Sequence, residues 1–150
     1  MELEQTIEIT RPPADVYAFV ATEHGKNHPR WDPAISDMRQ QTPGPVAVGT
    51  EFTLDRKMMG RKTRMTTRIT KMDPPRELDF QVNGPMPMEM VMRMEPSGEG
   101  STSFTMRFNA QPSGFWRVME PMMRMQMGKE MGRTQLRIKE MVESTRVPSD

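Results

Sequence analysis

Residues 115–143 read FWRVMEPMMRMQMGKEMGRTQLRIKEMVE. Trp116, Met119, Met123, Met127, Met131, Thr134, Ile138 and Met141 fall on one stripe at helical spacing, so this stretch predicts a long amphipathic helix. Uninterrupted from the Gln111-Pro112-Ser113-Gly114 break to Glu143, it would be about 45 Å long at 1.5 Å per residue. Pro121 lacks the amide proton a helix interior needs, so it kinks the helix or marks its true start. The tail Val147-Pro148-Ser149-Asp150 reads as frayed.

Most of the chain upstream of this helix falls into segments that alternate with a period of two. Leu3, Gln5, Ile7 and Ile9 share a face opposite Glu2, Glu4, Thr6 and Glu8, which predicts a half-buried first strand. Arg11-Pro12-Pro13 ends it, and Val16, Tyr17, Phe19 and Val20 then predict a short helix over Pro13 to Ala21. Glu23 to Pro33 is polar and contains Gly25 and Pro29, so it reads as a loop with at most one helical turn.

Strands are expected over Ile35 to Gln41, Val48 to Met58 with Phe52 and Leu54 inward, and Lys62 to Met72 with Met65, Thr67 and Ile69 inward. Further strands carry Leu78, Phe80 and Val82, and then the clearest alternation of all: Met86, Met88, Met90, Met92 and Met94 on one face. A last strand presents Phe104, Met106 and Phe108. A twisted antiparallel sheet with one apolar face needs a cover, and the terminal helix is the element long enough to supply it. The expected fold class is therefore α+β, with about six or seven strands around one long helix, in a single domain over residues 1–150.

These strings in order resemble a known family. Ile7-Glu8-Ile9 before Arg11-Pro12-Pro13-Ala14-Asp15-Val16-Tyr17, then Trp31-Asp32-Pro33, Gly44-Pro45-Val46-Ala47-Val48-Gly49-Thr50 and Asp73-Pro74-Pro75-Arg76-Glu77-Leu78 carry the likeness. With Gly98, Gly100-Ser101-Thr102 and the late Leu136-Arg137-Ile138-Lys139, the chain resembles the START-like helix-grip (SRPBCC) superfamily, in its polyketide cyclase/dehydrase and lipid-transport branch. That resemblance implies a helix-grip fold enclosing a hydrophobic ligand. It does not specify an activity, because one fold hosts many functions.

Composition narrows the partners. A formal charge of +1 leaves no broad basic surface for nucleic acid or anionic membranes. The absence of cysteine excludes disulfides and thiolate metal sites. The acidic start Met1-Glu2-Leu3-Glu4 does not read as a secretory signal, and no apolar run is long enough to span a bilayer, so a cytoplasmic location without stable membrane insertion is expected. Nineteen methionines against six phenylalanines and one tyrosine point to a soft, adaptable core.

The expected ligand-binding set is Trp31, Phe52, Leu54, Arg56, Met65, Thr67, Phe80, Met88, Met90, Met92, Phe104, Met106, Trp116, Met119, Met123 and Met127. The methionine face reads either as plain core packing or as packing that also lines a cavity. Its thioethers suit Cu(I) in principle, but a buried stripe without histidine or cysteine help argues for no metal. No cofactor is called for. His24 and His28 read as solvated loop residues, or as the rim of the cavity mouth. Arg56 either anchors a polar ligand group or snorkels from its strand end.

No nucleophile with a base, paired inward carboxylates or phosphate loop is visible. If the chain is an enzyme of the cyclase or dehydratase type, Tyr17, His28, Asp32 and Arg56 are the groups to test, although packing is the simpler reading of Tyr17. Val118, Met125 and Leu136, with Gly128 and Gly132 nearby, are assigned to the back of the long helix. They are scattered surface residues, a homodimer contact, a regulatory interaction face or a transient membrane-docking patch.

Overall fold

The computed structural model describes residues 1–58 and 60–144; the tail at Val147–Asp150 lies outside the described residues. Seven strands form near the expected places: β1 Glu2–Ile9, β2 Ile35–Gln40, β3 Glu51–Met58, β4 Arg61–Asp73, β5 Glu77–Asn83, β6 Met88–Pro96 and β7 Thr102–Ala110. They form one sheet in the order β1-β7-β6-β5-β4-β3-β2, every neighbouring pair antiparallel. The first strand thus pairs with the last, and the segment between β1 and β2 must cross the whole sheet.

That segment is helical. Pro13–Tyr17 forms α1, with proline in its first turn where the missing amide proton costs nothing. Ala18–Thr22 continues as a π-helical turn, closed by the Glu23 amide donating to the Ala18 carbonyl at 3.0 Å. His24–Trp31 then forms α2. This corrects the expectation of a loop. The buried residues His24, Asn27, His28 and Trp31 recur at helical spacing, and three of the four are polar, which hid the pattern from a reading based on hydrophobicity.

The long helix is divided in two. After Gly114, which takes a positive φ of 58° that glycine tolerates, Phe115–Val118 forms the short α3. Glu120–Ser144 forms α4, with Pro121 in its first turn, so proline marks the true start of the main helix. The buried residues of α4 are Met131, Gln135, Ile138 and Val142. In its C-terminal half the seam therefore centres one residue beyond the expected Thr134 and Met141.

The inward faces of the strands and α4 make one core. Ile9, Trp31, Phe52, Ile69, Leu78, Met92, Met94, Phe104 and Ile138 are almost wholly removed from water. Gly128 and Gly132 do not sit on the outer face as expected. They face β1, where an added Cβ would meet the Gln5 side chain at 3.7 and 3.4 Å. The outer face carries Phe115, Val118, Met122, Met125 and Leu136, all exposed.

Candidate functional site

Between the middle of the sheet, α2 and α4 lies a cavity of about 140 Å³, open to solvent at one end. Its floor is built by alternation: Leu54, Arg56 and Met58 from β3, Met65 and Thr67 from β4, Phe80 and Val82 from β5, Met88, Met90 and Met92 from β6, and Met106 and Phe108 from β7. Residues i, i+2 and i+4 of each strand share a face, which is why one register places so many of them on one wall. His28, Trp31 and Asp32 close one side from α2, with Ile35 beside them. Met127, Glu130, Met131 and Thr134 close the top from α4.

The polar groups gather at one place. Arg56 Nε donates to Asp32 Oδ2 at 2.9 Å, and its Nη2 lies 3.4 Å from Glu130 Oε2. Burial alone would lower the guanidinium's pKa, but attraction to Asp32 and then Glu130 more than offsets this and holds it above its usual value. Asp32 also accepts from the Ala34 amide at 3.3 Å. All three side chains keep some contact with water, so the cluster stands toward the solvent end of the cavity.

Behind it lies an aromatic layer. His28 stacks on Trp31 with ring centroids 5.0 Å apart, and His24 sits 5.1 Å from Phe80 and 5.4 Å from Phe52. Neither histidine is a solvated loop residue, because α2 turns both toward the sheet. His24 Nδ1 donates to the Val20 carbonyl at 2.9 Å. Burial pushes the His24 pKa down to about 4. His28 is likewise held well below the ordinary histidine value, by burial first and then by the neighbouring His24 and Arg56. Both are neutral at pH 7. His28 Nδ1 and Thr67 Oγ1 are buried with no hydrogen-bond partner among the described residues.

Of the residues singled out from the sequence, Trp31, Leu54, Arg56, Met65, Thr67, Phe80, Met88, Met90, Met92, Met106 and Met127 meet in the cavity wall, as do His28 and Asp32. The others lie elsewhere. Phe52 is covered by α2 at Gly25, and Phe104 packs in the core where β7 pairs with Ile7 of β1 and Met94 of β6. Trp116, Met119 and Met123 precede the part of the helix that reaches the cavity, which begins at Met127. Tyr17 is buried on α1, where burial and the charge of Asp73 raise its pKa.

The sequence reading did not assign Ile35, Met58, Val82, Phe108, Glu130, Met131 and Thr134 to the site. Glu130 was findable: it lies three residues after Met127 on the same helical side, but a search for apolar stripes passes over an acid.

A sheet gripping a long terminal helix over such a cavity defines a START-like helix-grip protein. The family model described as polyketide cyclase/dehydrase and lipid transport matches residues 1–143, and the chain belongs to that family. Its fold is similar to a START superfamily protein from Mycobacterium smegmatis, with 16% identity, TM-score 0.76, and 95% of this chain and 97% of that one covered. It is also similar to the ZhuI aromatase/cyclase from Streptomyces sp. R1128, with 14% identity, TM-score 0.76, and 95% and 93% covered. The protein TTHA0849 of Thermus thermophilus aligns with 16% identity and TM-score 0.78 over 95% and 97%. No curated protein sequence matches the chain. Among the described residues, no helix is long and apolar enough to cross a membrane, and no group of three or more histidine, cysteine or acidic side chains is placed to hold a metal ion.

Proposed function

We propose that this protein binds and carries a hydrophobic small molecule in the methionine-walled cavity between the sheet and α4. The observation that carries this reading is the wall itself: eight methionines, Met58, Met65, Met88, Met90, Met92, Met106, Met127 and Met131, enclose a space with one polar cluster at its solvent end. An apolar pocket with a few placed polar groups is the usual form of a small-molecule site. Affinity comes mainly from removing ligand surface from water, at about 25 cal/mol per Å² before the costs of ordering. Methionine side chains are unbranched and polarizable, so they repack around ligands larger than the unliganded space.

Native mass spectrometry of freshly purified protein, followed by denaturing extraction, tests this. The expected result is a stoichiometric hydrophobic species. An empty mass, unchanged after incubation with a lipid and isoprenoid quinone panel, overturns it.

A second reading, a cyclase or dehydratase using the same cavity, is favoured by one observation. His28, Asp32 and Arg56 stand together in the wall, with the His28 imidazole neutral and its Nδ1 unpartnered. Turnover of the extracted compound into a new mass by the wild type, lost in His28→Phe, would select that reading over simple carriage.

A further inference from the structure

The charges around the cavity carry information about its ligand. Among the described residues, the charged side chains in the wall are Asp32, Arg56 and Glu130, two acids against one base, for a formal charge of −1. The guanidinium's charge is already met by both acids: its Nε lies 2.9 Å from Asp32 and its Nη2 3.4 Å from Glu130. His28 adds no positive charge, since it is buried beside Arg56 and His24.

From this geometry we infer that the cavity selects against anionic ligands and takes an uncharged, ring-bearing compound whose polar group donates or shares a hydrogen bond. This deepens the proposed binding function and rests on it. A ligand carboxylate or phosphate entering beside Arg56 competes with Asp32 and Glu130 for the one guanidinium and stands close to two like charges. A hydroxyl or amide group leaves the trio intact and can donate to the free lone pairs of either carboxylate.

Two further observations favour a neutral polar group. Thr67 Oγ1 and His28 Nδ1 belong to side chains in the cavity wall that are 1% and 7% exposed, and neither atom has a partner among the described residues. A hydroxyl and a neutral imidazole suit an uncharged group that both gives and receives a hydrogen bond. The apolar remainder suits a ring. The cavity's roughly 140 Å³ is close to the size of an apolar cavity that accepts benzene, and thioether sulfur makes favourable contacts with aromatic edges.

The test uses two probes of nearly equal shape, 2-naphthamide and 2-naphthoate, titrated at pH 7 into the full chain carrying Trp116→Phe. Quenching of Trp31, which stands in the cavity wall, then reports binding. The amide is expected to bind at least tenfold more tightly than the carboxylate. Glu130→Gln, which removes the net negative charge, is expected to narrow that ratio severalfold, and Asp32→Asn provides a second variant with the same expectation. Equal or tighter binding of naphthoate by the wild type overturns the charge selection while leaving the cavity as a ligand site. No binding of either probe at millimolar concentration overturns the cavity reading and this inference with it.

Discussion

Gln135, buried at the middle of α4, donates from Nε2 to the backbone carbonyl of Gln5 at 2.8 Å. The Gln5 side chain in turn donates to the Gly128 carbonyl at 2.8 Å, one helical stretch earlier. The helix is therefore tied to the edge strand β1 by polar as well as apolar contact, and Gly128 and Gly132 leave the room the Gln5 side chain needs. Because α4 roofs the cavity, this tie also fixes the cavity's height.

Gln135→Met keeps most of the volume and removes the hydrogen bond, so a stability loss of about 1–2 kcal/mol is expected. Gln135→Ala adds a void and is expected to cost more, about 2–4 kcal/mol. Urea denaturation measures both. A methionine variant as stable as the wild type would mean that the helix is held by apolar contact alone.

Gly25 presents a contest between two local effects. It lies within α2, where alanine would gain about 1 kcal/mol of helix propensity. A Cβ there, however, would stand 2.8 Å from Cε1 of Phe52, a ring with no exposed surface. Overpacking of this kind costs about 1–3 kcal/mol, so Gly25→Ala is expected to lower the thermal midpoint despite the better propensity. Gly25→Ala combined with Phe52→Leu should recover most of the loss, which a purely backbone explanation would not allow.

Most strands were legible in the sequence because they have one wetter and one drier face; β2, with only Ile35 buried, and β6, where Val91 is buried on the face opposite the methionines, depart from this. Phe52 and Leu54, Met65 and Ile69, Leu78 and Phe80 all point inward as their alternation requires. The family-level likeness rested on the same order of elements. Helix α2 was not legible, because its buried face is His24, Asn27, His28 and Trp31, and Gly25 and Pro29 argue against a helix at the level of propensity. Its stability comes from tertiary contacts such as Asn27 Nδ2 donating to the Phe19 carbonyl at 3.0 Å. The Asp32–Arg56–Glu130 cluster was legible only in part, since it joins three elements far apart in the chain.

The methionine strand separates packing from binding along its own length. Met94 is wholly buried in the core and is not part of the cavity wall, whereas Met90 is half-buried and lines it. Met94→Ala is expected to cost about 2–5 kcal/mol of stability while leaving the affinity of the folded protein for a bound probe within twofold. Met90→Ala is expected to cost less stability and to change probe affinity severalfold. Chemical denaturation paired with probe titration reads both effects. Matching affinity changes in the two variants would remove the distinction between core and wall.

Two buried neutral histidines make stability depend on pH in a calculable direction. His24 has an ordinary pKa of 6.5 and a folded-state value of about 4, and His28 is shifted the same way. Between these values the unfolded chain holds protons that the folded chain refuses. Stability is therefore complete above about pH 6.5 and falls as pH drops, at about 1.4 kcal/mol per pH unit for each histidine that stays neutral in the fold. Asp79 opposes this. Burial, and then Glu77 beside it, raise its pKa from 3.8 to about 6, so between those values the folded chain holds one proton that the unfolded chain has released. The net for the wild type below pH 6 is about one proton rather than two. Asp79→Asn removes the opposing group and should roughly double the slope between pH 6 and 4.5, measured as urea stability at half-unit steps. A variant whose stability stayed level across that range would show that the histidines take up protons in the fold, and that the aromatic layer behind the cavity is wetter than their burial requires.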